Sequence, residues 1–212
     1  MLVHPWDAAV DDHEWRTWLA DGRDFGQLIV AGPDGWPVVV PTHFLLDGDH
    51  IWLHLARPNP VWRAVEAEPR VTLTVLDDYA YVPTTWRAPV GVPPADGVPT
   101  SYYATVQLRC TATVIDDAAE KAEVLHRQLA ALQPAGDHGP VRIDEGPYHR
   151  MLSGIRALRL DVGSVTAKYK YDDHKPIEHR QRVAAHLEQR GQARDAGARS
   201  QLLRRLGGAA GT

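Results

Sequence analysis

The amino-acid sequence predicts a mainly β domain of the α+β class, an antiparallel barrel with helices packed outside it. Several segments alternate apolar and polar side chains with the period of two that strands require, and the longest covers residues 102–114. Helix signals stand before, between and after these strands, and no repeat occurs at the period of a solenoid or propeller. A chain of 212 residues is expected to bury roughly 70% of its unfolded surface, so one hydrophobic core is expected.

The first third of the chain predicts a helix and then a meander of strands. Asp11 and Glu14 have the spacing of an N-cap and its reciprocal acid, so a short helix begins there. Strands are predicted at 27–30 and within the valine-rich run 36–46, because a Gly-Pro-Asp-Gly turn separates the two. The next strand, 51–56, follows an Asp-Gly-Asp turn and has apolar residues on both faces.

The remaining elements follow from capping, alternation and breaker residues. Asn59 and Pro60 predict a helix start, and Asp117 with Glu120 repeats the capping spacing before a helix that reaches Leu132. Further strands are predicted at 71–75, 102–114 and 158–162, and a last helix at 176–190. The five prolines between 81 and 99 predict a long loop there.

Composition excludes several classes of function. Cys110 is the single cysteine, so no internal disulfide forms, and with no signal-peptide pattern at the N-terminus we expect a cytoplasmic protein. A net charge of -4 and the lack of a long apolar run argue against nucleic-acid and membrane partners. Glycine-rich phosphate loops, H-E-x-x-H, C-x-x-C and G-x-S-x-G are absent from the sequence, so hydrolase chemistry has no support.

A few residues are candidates for binding chemistry. His54 lies on the more polar face of its strand, where a core histidine and a cofactor ligand are about equally expected. Lys168 and Lys170 belong to a charged run that predicts either a solvated turn or an anion site. The aromatic residues around the sheet fit either a plain core or a stack on a planar ring, and they are Trp52, Trp62, Tyr79, Tyr81, Trp86, Tyr102, Tyr103, Tyr169 and Tyr171.

A series of short motifs, in order along the chain, resembles the PaiB-like proteins of the FMN-binding split-barrel superfamily. The motifs are Thr42-His43, then His54-Leu-Ala-Arg57-Pro-Asn59-Pro60-Val-Trp62-Arg63, Tyr79-Ala-Tyr81-Val-Pro83-Thr-Thr-Trp86, Val98-Pro99-Thr100-Ser-Tyr102-Tyr103, Met151-Leu152 through Ile155, and Lys168-Tyr-Lys170-Tyr-Asp-Asp. Their order and spacing run through nearly the whole chain.

The resemblance implies a six-stranded antiparallel split barrel with peripheral helices and a C-terminal helix. It places the barrel domain at residues 1–190 and a helical or flexible tail at 191–212. It implies FMN as the cofactor, a small-molecule substrate or ligand, and a homodimer whose interface shapes the cofactor clefts. The expected cofactor-binding residues are Thr42, His43, His54, Arg57, Asn59, Trp62, Tyr81, Thr100, Tyr102, Lys168 and Lys170.

The resemblance leaves three functions open. The first is a flavin-dependent oxidoreductase. The second is a haem enzyme like the piperazate synthases of the same family, which form an N–N bond on a hydroxylated amine; His54 would then be the axial iron ligand. The third is a negative transcriptional regulator, although only the tail from Arg190 to Arg205 is locally basic and no helix-turn-helix pattern occurs.

Overall fold

A computed structural model describes residues 1–206. Within that range the strands are β1 (Phe25–Ala31), β2 (Pro37–His43), β3 (Leu45–Asp47), β4 (His50–Ala56), β5 (Arg70–Val82), β6 (Thr100–Ile115) and β7 (Ile155–Lys170). The α-helices are α1 (Asp12–Ala20), α2 (Val61–Ala67), α3 (Thr84–Arg87), α4 (Ala118–Leu132), α5 (Gly146–Ser153), α6 (Ile177–Arg190) and α7 (Asp195–Leu203), with short 3-10 helices at Pro5–Asp7 and Pro94–Asp96.

The strands form one sheet in the order β2-β1-β5-β6-β7-β4-β3, and the pairs β1–β2, β1–β5, β3–β4 and β4–β7 are antiparallel. The predicted fold class is confirmed, but the described residues hold seven strands where six were expected. The additional strand arises because the predicted strand at 36–46 is broken at Phe44. The Phe44 side chain is buried and its N–H donates to the Asp24 carbonyl, outside the ladder.

The chain divides into two compact units, and each is described by itself. One comprises Met1–Trp18, Leu76–Val106 and the chain from Thr166 onward; the other comprises Leu19–Val75 and Gln107–Val165. We call the first the terminal unit and the second the central unit. The predicted tail, 191–212, includes helix α7, and residues 207–212 lie outside the described residues.

The core of the central unit is one face of its strands. Leu28 of β1 is directly opposite Leu73 of β5, and Leu53 of β4 is opposite Leu158 of β7; all four side chains are fully buried. The other face of β4 is covered by α4, where Val124 packs with Ile115, Ala157 and Trp52. Since β4 is covered on both faces, its polar-side residues lie between the sheet and a helix.

The terminal unit is organised around Asp78, a buried residue with a φ of 53° that interrupts the alternation of β5. The Trp18 indole N–H donates to its carboxylate at 2.8 Å, and the Tyr171 hydroxyl donates to its backbone carbonyl at 2.9 Å. Helix α7 approaches the same carboxylate through Gly197, where no side chain intervenes. Asp78 therefore joins α1, β5, the residue that follows β7, and α7 within this unit.

Local signals predicted some elements better than others. The Asp117 side chain caps α4 by accepting from the N–H groups of Ala119 and Glu120, as its spacing predicted. Strand β7 is much longer than the predicted 158–162, so Lys168 and Lys170 lie within a strand and not in a turn after it. Helix α5 was not predicted, and α3 lies inside the predicted loop. Among the described residues, no helix is both long and apolar enough to cross a membrane.

Candidate functional site

His54 is the centre of a polar group between β4 and α4 of the central unit. Its Nδ1 lies 2.6 Å from Oε1 of Gln128, a helix residue that is only 2% exposed. The Gln128 amide nitrogen donates to the Trp52 carbonyl at 3.3 Å, which fixes the orientation of the amide. The amide oxygen therefore faces the imidazole, and the His54 proton is assigned to Nδ1, which donates to it.

The surroundings of His54 favour a neutral ring. Burial lowers the pKa of His54 below its ordinary value of 6.5, the neighbouring His43 lowers it further, and the Gln128 hydrogen bond opposes both. A neutral imidazole with its proton on Nδ1 has a lone pair on Nε2. Such a nitrogen is able to accept a hydrogen bond or to bind a metal ion.

His43 and Thr42 stand beside this group at the end of β2. The His43 ring meets the His54 ring edge-on, with centroids 5.2 Å apart. Thr42 is buried, and its hydroxyl donates to the His43 carbonyl at 2.9 Å. The structure thus brings the predicted residues His43 and His54 together and adds Gln128, while Thr42 adjoins them only through the chain.

Arg57, Asn59 and Trp62 shape the chain after β4. Arg57 donates to the carbonyls of Ser153 and Ile155 and forms an ion pair with Asp116. The Asn59 side chain accepts from the Val61 N–H at the start of α2, and the buried Trp62 indole donates to the Ala56 carbonyl. All three side chains have structural partners, and their predicted contact with a cofactor stays a prediction.

The other predicted residues belong to the terminal unit. Tyr102 is fully buried, and its hydroxyl donates to Asp172 at 2.9 Å, while Arg87 binds both oxygens of the same carboxylate at 3.0 Å. Tyr81 is half exposed, and its carbonyl accepts from Arg190; Thr100 is partly buried at the start of β6. The role predicted for them stays a prediction.

Lys168 and Lys170 place their ammonium groups near one phenol ring. The Nζ atoms lie 5.6 Å and 5.8 Å from the ring centroid of Tyr103, within the range of a cation–π contact. Lys168 is buried and also donates to the Leu2 carbonyl at 2.9 Å. Within residues 1–206, Lys170 has no hydrogen-bond acceptor, so its ammonium is the more available of the two.

Two residues that matter most for these arrangements were missed by sequence reasoning. Gln128 is not among the predicted site residues, although a polar position on the covered face of α4 is a usable signal. Asp172 belongs to the charged run for which the sequence leaves a solvated turn and an anion site open, because nothing in the local pattern shows that Arg87 and Tyr102, far away in the chain, meet it.

The antiparallel sheet with its outer helices has the architecture of a split-barrel domain. Residues 1–164 match the family described as "Putative FMN-binding domain", and the chain belongs to that family. No curated protein matches the chain by sequence.

Solved structures share the fold. The flavocytochrome Anf3 from Azotobacter vinelandii aligns over 78% of this chain and 70% of its own, with a TM-score of 0.60 and 21% identity. The FAD and haem binding protein from Mycobacterium smegmatis aligns over 84% of this chain and 80% of its own, with a TM-score of 0.61 and 18% identity. At these identities the likeness shows the fold.

Proposed function

We propose that this chain binds a flavin, with FMN as the cofactor, and works as a flavin-dependent oxidoreductase. The observation that carries the proposal is the family match over residues 1–164 on a split-barrel fold. The bound flavin would supply the electron-transfer chemistry, and the protein would bind and orient it. We propose further that the chain belongs to the PaiB-like branch of the family, and the motifs that resemble those proteins support this.

Three predicted cofactor-binding residues are cationic, and each can be compared as a partner for the phosphate of FMN. Arg57 is already paired with Asp116 and with backbone carbonyls, and Lys168 is buried against the Leu2 carbonyl. Lys170 has no hydrogen-bond acceptor among residues 1–206, and an ammonium group is a good phosphate partner. We therefore assign the phosphate contact to Lys170.

Absorption and binding measurements test the flavin proposal. The purified chain, or the chain mixed with FMN and desalted, is expected to show two flavin bands and quenched flavin fluorescence. Lys170→Gln is expected to weaken FMN binding about tenfold, because one charge-assisted contact is lost. Lys175→Gln, at an exposed position, is the control with the same change of charge. A chain that retains no flavin after mixing contradicts the proposal.

Haem is a second candidate, and the geometry of His54 favours it. Haem-binding histidines keep one nitrogen for iron and give the other N–H to a fixed acceptor, as Gln128 provides here. The solved structures with this fold include a flavocytochrome and a protein that binds FAD and haem. In this reading the activity is N–N bond formation on a hydroxylated amine, as in the piperazate synthases.

Haem titration of the full chain separates the two candidates. If haem binds at His54, a Soret band appears on titration and is lost in His54→Ala, while His50→Ala, at an exposed strand position, keeps it. Gln128→Leu is expected to weaken haem binding between about tenfold and a hundredfold, because the ring loses its fixed orientation. A Soret band that is unchanged in His54→Ala contradicts the assignment.

A homodimer is the assembly we propose, and one face of the β1–β2 pair supports it. Phe25 is 60% exposed and Val39 is 48% exposed, although both lie on strands. Phe25 is directly opposite His43, so the apolar face continues to the histidine whose ring packs on His54. A second copy on this face would cover apolar side chains and stand next to the candidate site. Light scattering of Val39→Glu is expected to show monomers where the natural chain gives dimers.

The alternative of a transcriptional regulator has less support. Three arginines of the basic C-terminal stretch are engaged within the terminal unit: Arg190 pairs with Asp195, and Arg204 and Arg205 pair with Glu14 and Asp173. Guanidinium groups held this way are less available to phosphates. Retention on DNA that weakens steeply with added salt would revive the alternative.

A further inference from the structure

A cleft in the central unit lies apart from the predicted cofactor-binding residues. It has a volume of about 420 Å³ and is lined by residues of β1, β2, β5, β6 and β7. The lining residues are Ile29, Val30, Ala31, Pro37, Arg70, Val71, Thr72, Arg109, Cys110, Thr111, Gly163 and Ser164. None of the predicted cofactor residues is among them, and its volume lies within the range of small-molecule sites, about 300–1,000 Å³.

The charged residues that line the cleft are all positive. Two arginines line it, and no acidic residue does. Arg70 is compensated, because its guanidinium donates to both carboxylate oxygens of Glu68 at 2.9 Å and 2.6 Å. Arg109 is exposed on β6 and forms no ion pair or hydrogen bond through its side chain with any residue in the range 1–206. The cleft therefore presents one uncompensated guanidinium.

The remaining lining residues divide into hydroxyl and apolar groups. Thr72, Thr111 and Ser164 supply three hydroxyls that are able to donate to an anion. Ile29, Ala31 and Pro37 are apolar lining residues with partly or fully exposed side chains, and Ala31 lies directly opposite Pro37 on the next strand. A site of this kind suits a molecule with one anionic end and one apolar end.

Cys110 is a neutral lining residue and contributes no negative charge to the cleft. Its thiol is 5% exposed, and burial raises its pKa to about 12, with Asp161 contributing. The sulfur is therefore neutral near pH 7 and behaves as a small hydrophobic group. Its presence leaves the positive character of the cleft unchanged.

We propose that this cleft binds a small organic acid, with the carboxylate on Arg109 and the neighbouring hydroxyls and the hydrocarbon part on Ile29, Ala31 and Pro37. Arginine suits a carboxylate because its planar fork gives two parallel hydrogen bonds. The apolar lining disfavours a fully hydrated inorganic anion, which has no hydrocarbon to bury. This site goes beyond the cofactor function proposed above and does not depend on it. The cleft borders the face proposed for the second copy, because Ile29 lies directly opposite Val39.

Calorimetric titration of the full chain with sodium octanoate tests the proposal. Saturable binding is expected for the natural chain, and Arg109→Gln is expected to weaken it at least about tenfold. Ser164→Trp, which fills the cleft and leaves the guanidinium in place, is expected to have an effect of similar size. The uncharged analogue 1-octanol is expected to bind at least about tenfold more weakly than octanoate.

The control is Arg63→Gln, which removes the same charge at an exposed position on α2 outside the cleft. It is expected to bind octanoate as the natural chain does. The proposal is overturned if Arg109→Gln binds as tightly as the natural chain, if 1-octanol binds as tightly as octanoate, or if octanoate shows no saturable binding. Flavin or haem absorption is expected to be the same in Arg109→Gln and the natural chain, so failure here is separate from failure of the cofactor proposal.

Discussion

The Nδ1 atom of His54 and the Oε1 atom of Gln128 are 2.6 Å apart, although the residues are separated by 74 positions in the chain. One stands on a strand and the other on the helix that covers it. Because the Gln128 nitrogen is held by the Trp52 carbonyl, the amide cannot exchange its two ends without losing a hydrogen bond. The pair therefore sets both the orientation of the imidazole and the nitrogen that carries its proton.

The tautomer of His54 gives the first prediction. In the natural chain without cofactor, ¹⁵N NMR of the imidazole is expected to show the proton on Nδ1. In Gln128→Leu the acceptor is gone, so the Nε2–H form becomes populated, and the pKa of His54 falls further, since the Gln128 bond raises it. Gln128→Glu, with a carboxylate at the same place, is expected to raise the pKa of His54. An Nε2–H form in the natural chain contradicts the assignment.

The burial of His54 also predicts a pH dependence of stability. Its pKa in the folded protein is below the ordinary 6.5, so the unfolded chain binds more protons in the window between the two values. The contribution of His54 to the free energy of unfolding is therefore at its maximum above pH 6.5, and it decreases as the pH falls through that window. Each unit of difference between the two pKa values corresponds to about 1.4 kcal/mol.

Urea denaturation at pH 7.5 and pH 5.5 checks this pH dependence. The natural chain is expected to lose more stability between the two conditions than His54→Gln, because the variant lacks the imidazole at position 54. His126→Gln, at an exposed position on α4, is expected to behave as the natural chain does. Equal losses in the natural chain and His54→Gln rule out a lowered pKa at this residue.

The sequence predicts the fold well where local patterns carry the information. Asp117 caps α4 because an aspartate side chain reaches the first free N–H groups, and this depends on spacing alone. The break between β2 and β3 depends instead on the burial of Phe44 and on a hydrogen bond to Asp24, a contact between distant positions. The sequence also predicts β7 too short. The charged residues Lys168 and Lys170 are typical of a turn after a strand, yet they lie within the strand.

The candidate site was predictable in part. The position of His54 between apolar residues on a strand makes it a candidate from sequence, whereas its contact with His43 depends on the tertiary fold. Gln128 could not be assigned as its partner, because two segments far apart in the chain must meet first. The cleft at Arg109 was likewise hidden, since residues from five strands form it and only the folded chain brings them together.

The buried hydroxyl of Tyr102 predicts a large effect of a small substitution. Burial favours the neutral acid at Asp172, but Arg87 and the Tyr102 hydroxyl outweigh it and lower the pKa of Asp172. Tyr102→Phe removes a hydrogen bond to a buried carboxylate, so a loss of about 1.5–3 kcal/mol is expected in urea denaturation. Tyr103→Phe, one position along, is expected to cost less than about 0.5 kcal/mol, because its ring contacts remain. Equal stabilities of the two variants would exclude this role for Tyr102.

The approach of Gly197 to Asp78 gives the last prediction. Alanine in a helix is ordinarily better than glycine by about 1 kcal/mol, yet a Cβ at position 197 of α7 would collide with the Asp78 carboxylate. The carboxylate is not free to move, because the Trp18 indole holds it at 2.8 Å and Tyr171 binds its backbone. Gly197→Ala is therefore expected to destabilise the fold by about 1–3 kcal/mol in urea denaturation.

Two further variants separate this collision from a general effect of added methyl groups. Gly139→Ala is the control, since a Cβ there would meet nothing closer than 3.6 Å, and its stability is expected to change little. Trp18→Phe removes the N–H that holds the carboxylate, so in that background Gly197→Ala is expected to cost less than in the natural chain. A Gly197→Ala protein at least as stable as the natural chain would mean that α7 shifts easily, and Asp78 would then not fix its position.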